Sequence, residues 1–172
     1  MKTAAYLTFL SALFTLPLAQ AVMPTQAEVL SGADKVTVNF PNWEKYDDIQ
    51  DEFLPSDQGE QNILKEMRRS MDDLAGREIP AGQHLTLTFT NIDLAGEFLP
   101  NHREMRTIKT IYPPRLVFAY SLTNSAGQVL KSGKEDITDD LYLQRFPIDP
   151  DDPRHYEKAI MKDWMETKLR AP

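Results

Sequence analysis

Two segments alternate apolar and polar residues so regularly that each fits only a strand with one buried face. In HLTLTFTNIDL (84–94), Leu85, Leu87 and Phe89 point one way, and His84, Thr86, Thr88 and Thr90 the other. RLVFAYSLT (115–123) repeats the pattern with Leu116, Phe118, Tyr120 and Leu122. A sheet that is apolar on one face has to bury it against a second layer. Two helical stripes can supply that layer. Ile63, Leu64, Met67, Met71 and Leu74 recur at helical spacing, and so do Tyr156, Ile160 and Trp164, with Leu169 near that face.

The remaining segments fall around this frame. KVTVNF (35–40) alternates and is stopped by Pro41. NWEKYDDIQDEFLPSD (42–57) is an acidic loop; Asp57 starts the first helix with Glu60 as its capping-box partner, and Gly76 ends it. The stretch before the double proline reads as loop. NSAGQ (124–128) is turn chemistry and VLKSGKEDIT (129–138) a weaker strand, so 115–138 is expected as a hairpin. Asp152-Pro153 opens the last helix. The expectation is one α+β domain over 35–172. It has about four mostly antiparallel strands with two helices packed on one face, in the order β-α-β-β-β-α.

The first residues, MKTAAYLTFLSALFTLPLAQA, have the layout of a secretory signal peptide: Lys2, an apolar run from Ala4 to Leu16, Pro17, then Ala19-Gln20-Ala21. The apolar run is short for a membrane span, which needs roughly 20 apolar residues. Cleavage after Ala21 would leave 151 of 172 residues and move the formal charge from −7 to −8. Residues 22–34 then read as a flexible leader. The periplasm is the expected location, or secretion to the medium. The acidic balance argues against nucleic acid as a partner, and the exported chain is expected not to span a membrane. With zero Cys, disulfides, thiol chemistry and thiolate metal sites are excluded.

Motifs for chemistry are missing. No Gly-x-Ser-x-Gly elbow and no glycine-rich phosphate loop occurs. His84, His102 and His155 lack the spacing of a helical metal pair. Acids crowd 47–52 and 149–152. A calcium loop counted from Asp149 needs Glu at its twelfth position, where Ile160 stands. No cofactor and no metal are expected. Solvated surface charge is the plainer account of these acids.

One stretch inverts the sign of its surroundings. From Asn101 to Arg115 the chain carries Arg103, Arg106, Lys109 and Arg115 against one acid, Glu104. Such a group can bind a phosphate or carboxylate, or be neutralised by the acids of 44–52 and 135–140. Hairpin register sets Arg115 opposite about position 137, within reach of Glu135 or Asp136. Arg103, Arg106 and Lys109 have no such strand partner. Pro113-Pro114 fixes two φ angles and removes two donors, a rigid feed into the strand that follows.

Five segments carry a resemblance: VTVNFPNWEKYDDI (36–49), LTLTFTNIDLAGEF (85–98), IYPPRLVFAY (111–120), GQVLKSGKEDITD (127–139) and DDPRHYEKAIMKDW (151–164). With them the chain resembles a family of small exported Gram-negative bacterial proteins, the domain of unknown function three-zero-one-six. The resemblance implies an exported single domain and transfers no catalytic motif. Within these segments Asp93, Gly96, Glu97, Arg115, Glu135, Asp136 and Asp139 are the candidate polar residues. The expected function is non-enzymatic: binding of an envelope component or a protein partner. The alternative is a hydrolase that uses carboxylates of 93–97 and 135–139. An acid-lined cleft would favour the alternative, and a groove with an exposed strand edge would favour binding.

Overall fold

The structure, a computed structural model, describes residues 35–51, 54–99, 102–145, 152 and 154–170, with the side chains of 102–104 outside this set. The signal-peptide and leader assignments lie outside the described residues. So does Pro153.

The two alternating segments are the central strands. In chain order the elements are β1 (Val36–Asn39), α1 (Asp57–Glu78), β2 (Gln83–Asp93), β3 (Glu97–Leu99), β4 (His102–Thr107), β5 (Arg115–Asn124), β6 (Val129–Thr138) and α2 (His155–Trp164). A π-helical turn, Met165–Leu169, continues α2. The main sheet has the order β1-β2-β5-β6. β1 runs parallel to β2, as the intervening α1 allows, and the other pairs are antiparallel. The mixed sheet with both helices on one face is the α+β arrangement the pattern predicts.

Leu85, Leu87, Phe89, Leu116, Phe118 and Leu122 form the covered face, all buried. From the helices they meet Ile63, Met67, Met71, Ile160, Met161 and Trp164. Trp164 stands edge-on to Phe118 and Tyr120, with ring centroids at 4.9 and 5.0 Å. Tyr120, expected in the core, is only partly buried. Simple alternation cannot bury both Phe89 and Ile92. A bulge between Phe89 and Asn91 shifts the register by one, and both face the core.

Three element boundaries differ from expectation. The cap of α1 is Ser56, whose hydroxyl accepts from Gly59 N. The helix runs through Gly76 to Glu78, because Ile79 is buried and Pro80 is the stronger stop. α2 begins at His155 rather than after Asp152, whose carboxylate accepts from Arg154 N. The segment read as loop forms a small antiparallel ribbon, β3 with β4. Its short, charged strands lack the alternation that marks a half-buried strand. Among the described residues no helix is long and apolar enough to cross a membrane.

Candidate functional site

The basic segment does not stay together. Arg106, on β4, turns inward, with its side chain 3% exposed. Its guanidinium donates to both oxygens of Asp48, at 2.6 and 2.9 Å, and to the carbonyls of Gly96 and Gln50. It also lies over the Phe98 ring, 4.6 Å from the centroid. Gly96 makes this approach possible. Its φ is +85°, and a Cβ there would stand 2.5 Å from Ile108 Cδ1 and 3.0 Å from Arg106 Cγ. Asp48 is itself positioned by a lone parallel bridge to Asp93. The acidic loop at 42–57 is therefore partly an internal counterion rather than solvated charge.

Arg115 takes the partner that hairpin register predicts. It faces Thr138 across the ladder and donates through Nε and Nη2 to both oxygens of Asp136, each at 2.8 Å. Asp47 is 3.9 Å away. The hydrogen bond from Arg115 holds the Asp136 carboxyl below the ordinary range. Lys109 is exposed, and its carbonyl accepts from Tyr112 N and the Tyr142 hydroxyl, which fixes the turn before the double proline. Pro114 is buried, and its carbonyl accepts from Asp139 N. So 108–114 is a bonded turn that feeds β5. The Arg103 side chain lies outside the described residues.

The candidate acids divide between the two faces of the sheet. Asp93 and Asp136 lie with Arg115 on the face away from the helices, and Glu135 lies on the helix face. Burial, with Asp48, Asp47 and Glu97 nearby, pushes the Asp93 carboxyl up to about 6, against a smaller opposing pull from Arg106. Glu97 is exposed on β3. Asp93 and Asp136 therefore share a face around Arg115 without lining either depression described below, while Glu135 and Asp139 lie elsewhere.

Where Glu135 and Asp139 lie, there is a groove. It runs between β6 and α2, with a volume of about 280 Å³. Ile137, Ile160 and Trp164 form its floor. Arg145 bridges Asp139 on β6's end to Asp163 on α2, and Lys168 stands 3.6 Å from Glu135. Thr167 completes the helix side. The indole Nε1 of Trp164 is buried without a hydrogen-bond partner. At one end Lys131 donates to the carbonyls of Lys168 and Leu169, tying β6 to the end of the helix. Among the described residues β6 pairs only with β5, so its outer edge offers backbone groups beside the groove. Exposed Val129 and Leu130 lie at one end of that edge, and Leu141 and Leu143 at the other.

Sequence reading found Glu135 and Asp139 but not Arg145, Asp163 or Lys168, whose pairing depends on how α2 docks. It also missed Glu157, fully buried and accepting from Ala95 N. A signal was present: Glu157, Ile160, Met161 and Trp164 share one helical stripe. Among the described residues no cluster of three or more His, Cys, Asp or Glu is arranged to hold a metal ion.

No curated protein and no solved structure matches the chain. A family model does, over residues 34–167, nearly all of the described fold. The chain belongs to the family described as "Protein of unknown function (DUF3016)".

Proposed function

We propose that this chain is an exported, non-catalytic binding module of the cell envelope, and that it takes an extended segment of a partner protein along the outer edge of β6. The observation that carries the reading is the groove between that edge and α2. An added strand would satisfy the edge's backbone groups and lay one side chain against Ile137, Ile160 and Trp164. A volume of about 280 Å³ suits one anchoring side chain better than a whole small molecule. The charged rim of Glu135, Asp139, Asp163, Arg145 and Lys168 would select the flanking residues.

Export rests on the signal-peptide layout, and intact mass of the secreted protein starting at Val22 is the expected result. The hydrolase reading draws on the raised Asp93 carboxyl. Asp93 lines neither of the two depressions described here, and its nearest acids are engaged with Arg106 and Asn91.

The test is capture from periplasmic extract, with bound proteins identified by mass spectrometry. Thr167→Trp fills the groove from an exposed helical position, so it should abolish capture of a specific partner and leave folding intact. Equal capture by wild type and Thr167→Trp would refute the groove.

A further inference from the structure

The opposite edge of the sheet carries a second depression with a different chemistry. It lies beyond β1, has a volume of about 510 Å³, and is lined by Phe40, Trp43, Gln58, Gln61, Asn62, Leu64, Lys65 and Arg68. That volume is in the range of small-molecule sites. Not one lining residue is acidic, although the chain has 26 acidic against 19 basic residues. Gln58, Gln61, Asn62 and Lys65 are spaced i, i+3, i+4, i+7 and share one exposed face of α1. Gln58 Nε2 donates to Asn62 Oδ1 at 3.3 Å, which orders the amide row.

The far wall is fixed in place. Phe40 stacks on Phe89 in the core, with ring centroids at 5.3 Å and planes at 24°. Arg68 lies over the Phe40 ring at 5.4 Å and donates to the Val38 carbonyl at 3.1 Å. The guanidinium is thus held by an aromatic face and a backbone oxygen, with the depression beside it. Trp43, in the one-turn helix Trp43–Lys45, is partly buried and offers the remaining indole surface.

We propose that this depression binds an anionic saccharide. The apolar face of a sugar ring would lie on Trp43. Its hydroxyls would meet the Gln58, Gln61 and Asn62 amides, each of which both donates and accepts. A carboxylate or phosphate on the sugar would be bound by Lys65 and Arg68. The site is separate from the β6 groove and does not depend on it.

Calorimetric titration of the folded protein tests this with four probes. N-acetylglucosaminyl-N-acetylmuramic acid supplies the carboxylate, N-acetylglucosamine 6-phosphate the phosphate, N,N′-diacetylchitobiose (chitobiose below) is neutral, and inorganic phosphate lacks a sugar. At least one charged sugar should bind about tenfold or more tighter than chitobiose and than inorganic phosphate. Which of the two binds tighter identifies the anionic group. Lys65→Gln, at an exposed position, should collapse the preference over chitobiose, and Trp43→Ala should weaken the charged sugar by about tenfold. Four results would overturn the proposal: no saturable heat with either charged sugar, equal affinity for chitobiose, equal affinity for inorganic phosphate, or unchanged affinity in Lys65→Gln.

Discussion

Glu135 and Asp136 are neighbours in sequence and belong to two arginine–carboxylate clusters that behave differently. Asp136 belongs to the cluster around the end of β2, with Asp47, Asp48, Asp93, Arg106 and Arg115. Glu135 belongs to the groove, with Asp139, Asp163, Arg145 and Lys168. The residue types are the same. In the first cluster Arg106 is buried and donates to four acceptor atoms from two segments of chain, the loop of Asp48 and Gln50 and the turn at Gly96, so its charge closes the fold. In the second the pairs stand on the rim of an open groove with an apolar floor. The Arg115–Asp136 pair of the first cluster is exposed as well, so burial of the individual pair, rather than charge content, separates the structural pair at Arg106 from the others.

The sharpest way to break this comparison is at Arg106. Removing one partner of a buried pair leaves an uncompensated charge and costs about 3–5 kcal/mol. Arg106→Met should therefore lower stability by that amount in urea unfolding, a large share of an ordinary domain's total. A loss under about 1 kcal/mol would show that Asp48 and Arg106 are solvated and the two clusters alike.

Asp93 sharpens the comparison through pH. Its folded carboxyl titrates near 6, above the unfolded value of about 3.9. Between these values the native state holds a proton that the unfolded state has released, so this group's contribution to stability falls as pH rises from about 4 to 6. It is unfavourable above that window. Asp93→Asn should raise the Tm at pH 7 modestly and flatten the difference in stability between pH 4 and pH 6. An unchanged pH profile would mean that Asp93 is fully hydrated.

The smallest effect is expected at Arg115. Its pair with Asp136 is exposed, with side chains 40% and 55% accessible. Arg115→Ala should lower Tm only slightly, with the remaining difference shrinking in salt. A loss as large as that of Arg106→Met would remove the distinction.

Local patterning made much of this legible in the sequence. The faces of β2 and β5 follow from alternation, and the Arg115–Asp136 pair follows from hairpin register, because both depend on residues close in sequence or on a turn of known length. The fate of Arg106 was not legible. It depends on Arg106 meeting the loop of Asp48 and Gln50 and the turn at Gly96, segments distant from one another in sequence, and the positive φ and missing Cβ of Gly96 admit it. The groove was half legible: β6 supplied Glu135 and Asp139, but the docking of α2 supplied the rest. The β3–β4 ribbon was hidden because its short, charged strands do not alternate apolar and polar residues.

The most direct test of the β6 groove is an amide NMR comparison of the isotopically labelled chain in unlabelled periplasmic extract and in buffer. The account predicts that amides within Val129–Thr138 shift and gain protection from hydrogen exchange, together with Thr167 and Lys168 across the groove, while Arg106 and Asp93 stay unchanged. Perturbation centred on Arg106 and Asp93 with β6 silent would contradict it.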